Sequence, residues 1–241
     1  MAYGSCAYEG CIPALSNLTT AEATFNAVYH DNPSIDNPEG VRPQLVSQVP
    51  EGELSLPSFY NTVKSLDQVV PVDYYLPGCP PEPPQIWAVL EAVVAALTEG
   101  AELPPPGSVV GVGTVAVCEE CPLEKNEKTI KRFYRPYEIT PEPGICLLEQ
   151  GLVCMGPATV SGCGALCPAV GAACIGCYGP AEGVLDYGAR LMTAVASVID
   201  SDDPDEIEEI LDGIVDPAGT FYRFSLPHSL LQAAKPAWAG D

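Results

Sequence analysis

Residues 146–180 read CLLEQGLVCMGPATVSGCGALCPAVGAACIGCYGP and contain six of the chain's eleven cysteines. The segment 162–180 within it has no charged side chain. Its glycines and alanines let the backbone approach a bound group closely and point N–H groups at it. Up to about residue 180 this part of the chain also lacks the periodic apolar pattern of helices and strands. The sequence therefore predicts an irregular segment that surrounds a metal site.

The cysteine spacing narrows the choice of metal. With Cys118 and Cys121 included, the later cysteines read C-x2-C-x24-C-x7-C-x8-C-x3-C-x6-C-x2-C. Eight thiolates suit two four-ligand sites, and soft thiolates select both zinc and iron–sulfur clusters. Two zinc sites usually show paired C-x2-C knuckles for each metal, whereas each half here has one close pair. The irregular spacing favours cubane iron–sulfur clusters, with structural zinc as the alternative.

Composition excludes several classes of protein. The 241 residues include 32 acidic and 10 basic side chains, for a net charge of −22. This balance argues against binding to nucleic acid or to an anionic membrane surface. No apolar run is long enough for a membrane span, and the first residues lack the pattern of a secretory signal. Eleven cysteines without such a signal indicate a reducing, cytoplasmic setting and metal binding rather than disulfides.

The cysteine distribution predicts two parts, a cysteine-poor 1–112 and a cysteine-dense 113–241, joined near the proline-rich 101–108. In the first part we expect a mixed α/β fold. A buried strand over 69–75 precedes a helix over 84–99, so Cys79 falls on a strand-to-helix loop, where α/β folds bind ligands.

Elsewhere, the content of proline, asparagine and glycine predicts a long surface loop over 31–57. In the second part, apolar periodicity predicts helices over 182–199 and 204–214. Asp203 and Pro204 are placed to start the latter helix.

A basic segment follows Cys121, and it contains half of the chain's basic residues: Lys125, Lys128, Lys131, Arg132 and Arg135. It is either a solvated face or a positive patch that steers an acidic redox partner. The acidic run over 200–212 predicts a solvated helix face. The glycine-containing piece GVGTVA (111–116) lacks the spacing of a nucleotide-binding loop. His30 and His228 are expected to be structural. No grouping of side chains predicts a catalytic residue in this chain.

Five pieces of the sequence carry a family resemblance. They are GSCAYEGCIPAL (4–15), VDYYLPGCPPEP (72–83), CEECPLEK (118–125), the segment 146–180 and GTFYRFSLPHSLL (219–231). In this order they resemble the small, iron–sulfur subunit of cytoplasmic [NiFe] hydrogenases of the F420-non-reducing, methyl-viologen-reducing type.

The resemblance implies a fold class. It is α/β, with a partial flavodoxin-like domain over 1–112 followed by a mostly irregular, helix-containing iron–sulfur domain over 113–241. The family's flavodoxin-like domain has a further N-terminal half with a C-x2-C pair, and the similarity starts after that half.

The resemblance also assigns ligands. A distal [4Fe–4S] cluster would use Cys118, Cys121, Cys146 and Cys154. A medial [4Fe–4S] cluster would use Cys163, Cys167, Cys174 and Cys177. Cys6 and Cys79 would be two ligands of a third, proximal [4Fe–4S] cluster, which forms only if the missing ligands are supplied. Cys11, where the family usually has glycine, is either a third proximal ligand or a small buried thiol.

The function implied is that of an electron-transfer subunit without a nickel site of its own. Electrons from H2 oxidation in a partner large subunit would pass through the clusters to an iron–sulfur acceptor protein linked to heterodisulfide reductase. The alternative is an iron–sulfur or zinc interaction module without hydrogenase activity. The family is also akin to the quinone-side iron–sulfur subunit of respiratory complex I, which has no equivalent of the eight later cysteines.

Overall fold

The computed structural model describes residues 1–126 and 130–233, which form a mixed α/β structure of short elements. The strands are β1 (Ala2–Tyr3), β2 (Val46–Val49), β3 (Gly52–Ser55), β4 (Tyr74–Leu76) and β5 (Ser108–Val109). The helices are α1 (Ser5–Glu9), α2 (Ala21–Tyr29), α3 (Pro83–Glu99), α4 (Val117–Glu120), α5 (Leu166–Ala169), α6 (Tyr187–Ala196), α7 (Pro204–Leu211), α8 (Pro217–Phe221) and α9 (Leu230–Ala233). Single 3₁₀ segments lie at Ile12–Leu18, Leu66–Gln68, Gly156–Ala158 and Leu226–His228.

A small parallel sheet organises the first part of the chain. Its strand order is β1-β4-β5, with Tyr75 of the central strand opposite both Ala2 and Val109. The carboxyl end of β1 leads directly to Cys6, and that of β4 leads to Cys79. Because parallel strands present their carboxyl ends at one edge, the segments that carry Cys6 and Cys79 lie side by side. Cys79 falls on a strand-to-helix loop, as predicted.

Helix α3 follows the Cys79 turn and agrees closely with its prediction. Glu82 and Gln85 form a reciprocal capping box, Pro83 occupies the first turn, and Gly100 ends the helix in the left-handed conformation at φ +71°. Of its predicted apolar stripe, Leu90, Val94 and Leu97 remain exposed within the described structure.

Two predictions in the first part were wrong in detail. The strand expected over 69–75 starts only at Tyr74, and Val69 and Val70 are exposed. Pro71 lacks the N–H that a sheet ladder needs, so pairing begins after it. The loop expected over 31–57 contains the antiparallel hairpin β2–β3. Neither of its strands has a buried face, so they lack the hydrophobic alternation that would have predicted them.

Helix α6 carries the core of the second part. Its buried face presents Tyr187, Leu191 and Val195, which join a cluster that includes Phe133 and Phe221. The helix begins at Tyr187, later than predicted, because Asp186 caps it by accepting a hydrogen bond from the Ala189 N–H.

Helix α7 begins at Pro204 as predicted and ends at Leu211, before the expected residue 214. Asp203 caps it by accepting a hydrogen bond from the Asp205 N–H.

Candidate metal centre

All eleven cysteines are free thiols. Four of them line one cavity, Cys177 lies near Cys163 and Cys167, and Cys11 lies near Cys6 and Cys79. We name these the 118–154 group (Cys118, Cys121, Cys146, Cys154), the 163–177 group (Cys163, Cys167, Cys174, Cys177) and the N-terminal group (Cys6, Cys11, Cys79). Among the described residues, no three His, Cys, Asp or Glu side chains converge tightly enough to hold a single metal ion.

The 118–154 group lines one cavity, together with apolar side chains that include Val117, Leu148 and Val198. A Cβ at Gly156 would lie 3.3 Å from the Sγ of Cys118 and 3.7 Å from the Sγ of Cys154, so glycine leaves room for the thiols. Four thiols around an apolar cavity with a close glycine backbone are the donor set and surroundings that an iron–sulfur cluster takes. The residues present therefore fit such a group.

Backbone pairing fixes this cavity. The segment 113–117 pairs with 159–161 through three backbone hydrogen bonds of 2.8–2.9 Å. Gly113 N–H donates to Ser161 O, Ser161 N–H to Val115 O, and Val117 N–H to Thr159 O. The GVGTVA piece thus has a structural role, because its pairing positions Cys118 at the start of α4. Cys146 is held separately by its N–H, which donates to Glu124 O at 2.8 Å.

Burial is the main influence on the thiols of this group. It raises the pKa of Cys118 to about 11, the charges of Cys154 and Cys146 add to the rise, and Lys125 opposes it. Burial likewise raises the pKa of Cys154. Because metal ligation needs thiolates, metal uptake by these thiols would release protons and would be favoured at higher pH.

The 163–177 group is built on a tight turn. Ala165, between Cys163 and Cys167, has a left-handed φ of +50°. Burial raises the pKa of Cys163, and the N–H groups of Ala165 and Leu166 that point at its sulfur oppose the rise. Burial raises the pKa of Cys177 to about 11. The Cys79 N–H opposes this rise, whereas the charges of Cys163, Cys167 and Cys79 add to it.

Cys174 lies between this group and the 118–154 group. Burial is the largest cause of its raised pKa, followed by the charge of Cys154, while Cys177 contributes less. Its sulfur is 3.9 Å from Thr159 Oγ1, which also bonds the buried Tyr187 hydroxyl at 2.7 Å. Tyr187 in turn donates to Gly176 O at 3.0 Å, so the core of α6 fixes the Cys174–Cys177 turn.

The N-terminal group lies at the carboxyl edge of the sheet. Cys6 and Cys79 are exposed, whereas Cys11 is buried with its sulfur 3.8 Å from that of Cys79. Burial raises the pKa of Cys11, and the charges of Cys79 and Cys6 add to the rise.

Two polar side chains that the sequence analysis missed connect the groups. The Ser5 hydroxyl donates to Cys177 O at 2.6 Å and accepts from the Gly78 N–H at 3.1 Å. The Glu120 carboxylate accepts from the Gly162 N–H at 2.9 Å and from the Gly164 N–H at 3.0 Å, on either side of Cys163. The only sequence feature that could have indicated them is their position next to cysteines, in the motifs G-S-C and C-E-E-C.

The two histidines lie in structural, hydrogen-bonded surroundings. His228 Nε2 lies 2.7 Å from Ser65 Oγ and 3.3 Å from Asp67 Oδ1, and His30 accepts from the Arg42 Nε–H at 2.9 Å. In the basic segment Lys125 lines the 118–154 cavity, and Lys128 lies outside the described residues.

Comparison with known proteins identifies the family. A family model described as "NADH ubiquinone oxidoreductase, 20 Kd subunit" matches residues 1–93, which excludes the eight later cysteines. Over 236 residues the chain is 38% identical to the iron–sulfur subunit of the F420-non-reducing hydrogenase of Archaeoglobus profundus, covering 96% of this chain and 71% of the relative. It is 40% identical over 240 residues to the corresponding F420-non-reducing hydrogenase subunit of Methanothermobacter thermautotrophicus, covering 96% and 70%.

The chain belongs to the family of F420-non-reducing hydrogenase iron–sulfur subunits. Members of this family are subunits of hydrogenases, which are oxidoreductases. Family membership and the grouped thiols together indicate an iron–sulfur protein associated with hydrogenase electron transfer. Among the described residues, no helix combines the length and apolar character of a membrane span.

Removing the Glu120 carboxylate should loosen the Cys163 turn. We expect Glu120→Ala to lower the free energy of unfolding by about 0.5–1 kcal/mol, because two exposed backbone N–H groups lose a charged acceptor that water partly replaces. Urea denaturation under anaerobic conditions measures this change. The neighbouring Glu119→Ala is the matched control, since Glu119 is exposed. An equal effect of both variants would contradict the linking role.

Glu9, at the end of α1, should make stability depend on pH. It is 5% exposed, its Oε2 has no hydrogen-bond partner within the described structure, and burial followed by the charge of Asp67 raises its pKa from 4.5 to about 8. The folded state thus holds this proton more tightly than the unfolded chain does. Its contribution to stability is complete below about pH 4.5 and is lost as the pH rises through about 8.

We therefore expect Glu9→Gln to be more stable than the wild type at pH 9 and to show a flatter pH dependence between pH 6 and 9. Urea unfolding at both pH values measures this, with the exposed Glu99→Gln as control. An unchanged slope would show that Glu9 is ionised without penalty.

Proposed function

We propose that this chain is the cluster-bearing electron-transfer subunit of a [NiFe] hydrogenase. The 118–154 group would bind a distal [4Fe–4S] cluster and the 163–177 group a medial one. Cys6 and Cys79 would be ligands of a proximal cluster once further ligands are supplied. The proposed division of the chain is a flavodoxin-like part over 1–112 and an iron–sulfur part over 113–241.

The observation that carries the proposal is the order of the thiol groups. The Cys79 N–H points at the sulfur of Cys177, and Cys174 is the neighbour of Cys154. The N-terminal, 163–177 and 118–154 groups therefore follow one another in series. Iron–sulfur clusters supply one-electron transfer when bound, and a series of neighbouring sites suits a relay. The chain's own residues bind, bury and orient the clusters.

The two ends of the series suggest the two partners. Cys6 and Cys79 are exposed at the sheet edge, where a large subunit that oxidises H2 would cover them. At the other end, Lys125 lines the 118–154 cavity, and Lys131 and Arg135 are exposed. On a chain of charge −22, this basic segment would dock an acidic iron–sulfur acceptor, for which we propose a protein linked to heterodisulfide reductase.

Metal analysis after anaerobic purification tests the cluster assignment. We expect about eight iron with matching acid-labile sulfide from the two complete groups, and about twelve when the proximal cluster is also bound. Cys163→Ser should lose part of this iron and halt electron flow between the two ends of the series. Full dye-linked H2 oxidation with all iron retained in that variant would contradict the medial assignment. Zinc without sulfide would favour the interaction-module alternative.

Charge reversal tests the docking surface. We expect Lys131→Glu to slow reduction of an acidic ferredoxin severalfold at low salt, because electrostatic steering is lost, while reduction of a small dye changes little. Stopped-flow reduction assays measure both rates. Arg190→Glu, which reverses an exposed basic residue on α6, is the control. Equal slowing with ferredoxin and with dye would contradict docking at this segment.

A further inference from the structure

The turn that carries Cys11 has an unusual backbone. Gly10 and Cys11 have consecutive positive φ angles of +89° and +53°, and ψ of Cys11 is −156°. A Cβ at Gly10 would lie 2.5 Å from Pro227 Cγ, so this position requires glycine. The conformation at Cys11 is one that residues with a side chain rarely adopt, and it persists only where the surroundings impose it.

The surroundings of Cys11 do impose it. Its N–H donates to Phe224 O at 3.0 Å, and its carbonyl accepts from the Ala14 N–H at 3.0 Å. Cys11 caps the 3₁₀ segment Ile12–Leu18, which packs against the segment Leu226–His228. The backbone of Cys11 is thus fixed from both sides.

This fixed backbone places the thiol against Cys79. The Cys11 thiol is the donor and the Cys79 sulfur the acceptor of a contact of 3.8 Å, within hydrogen-bonding reach for two sulfur atoms. Cys11 is 1% exposed, so water cannot replace this donor. Cys79 itself is exposed on its other side, where it is free to bind a further group.

We propose that the Cys11 thiol hydrogen-bonds the Cys79 sulfur and thereby raises the reduction potential of the cluster that Cys79 binds. This inference rests on the proposed function, in which Cys79 is a proximal ligand. A hydrogen bond to a ligand sulfur stabilises the reduced cluster, which carries the extra negative charge. Cys11 would then be a positioning residue and not a ligand, because it is buried whereas Cys6 and Cys79, the proposed ligands, are exposed.

Redox titration of the complete hydrogenase complex, purified anaerobically and followed by electron paramagnetic resonance, tests the proposal. We expect Cys11→Ala to shift the proximal potential to more negative values with unchanged iron and sulfide. Cys11→Ser should stay close to the wild type, because its hydroxyl is still a donor. Cys11→Gly should shift as Cys11→Ala does, because it lacks the donor while relieving the backbone strain.

Three results would overturn the proposal. One is an unchanged potential in Cys11→Ala at full iron content. Another is a wild-type potential in Cys11→Gly, which would make strain the cause. The third is the loss of about four iron in Cys11→Ala, which would make Cys11 a ligand. Cys79→Ala tests the proposed function separately, since iron retained in that variant would refute the ligand role of Cys79 whatever Cys11 does.

Discussion

A single buried hydroxyl joins the three segments that carry Cys6, Cys79 and Cys177. Ser5, 1% exposed, links the turn after β1 to the Gly78 N–H and to the Cys177 carbonyl. Such a bond contributes only about 1 kcal/mol net, but leaving its buried partners unpaired costs about 1–3 kcal/mol. Backbone contacts share this role, because β1 pairs with β4 and the Ser5 N–H donates to Gly78 O at 2.9 Å. The sheet thus places Cys6 beside Cys79, and the Ser5 hydroxyl adds the link to Cys177.

Glu120 makes a corresponding link between α4 and the Cys163 turn, and it brings a negative charge to that turn. It places a carboxylate beside the Cys163 turn in a chain that already carries −22. Backbone N–H groups offset such charge locally: those of Gly162 and Gly164 bond the carboxylate, and those of Ala165 and Leu166 face the Cys163 sulfur. The glycine- and alanine-rich sequence provides these N–H groups because small side chains leave them accessible. Because 162–180 has no charged side chain of its own, these N–H groups are what offsets negative charge around Cys163.

The elements that the sequence predicted well are those whose signals are local. Helix α3 has its prolines, capping box and terminal glycine within its own sequence, and its ends were predicted to one residue. The grouping of Cys118, Cys121, Cys146 and Cys154 followed from family resemblance, and their spacing of up to 24 intervening residues could not reveal it alone. Ser5 and Glu120 were missed because their partners lie 172 and 42 residues away, and a hydrogen bond to backbone leaves no pattern in the partner's sequence. The β2–β3 hairpin was missed because both of its faces are solvated.

Backbone strain connects these observations. Within the described residues, only Cys11 and Ala165 combine a side chain with a positive φ, and each lies in a thiol group or between two of its members. A residue in such a conformation costs on the order of 1–3 kcal/mol and is kept where the geometry it imposes matters. At Ala165 the strained turn aims two N–H groups at the Cys163 sulfur, and at Cys11 it aims a thiol at the Cys79 sulfur. Both turns therefore do the same physical task, which is to place a hydrogen-bond donor against a sulfur atom that would carry negative charge.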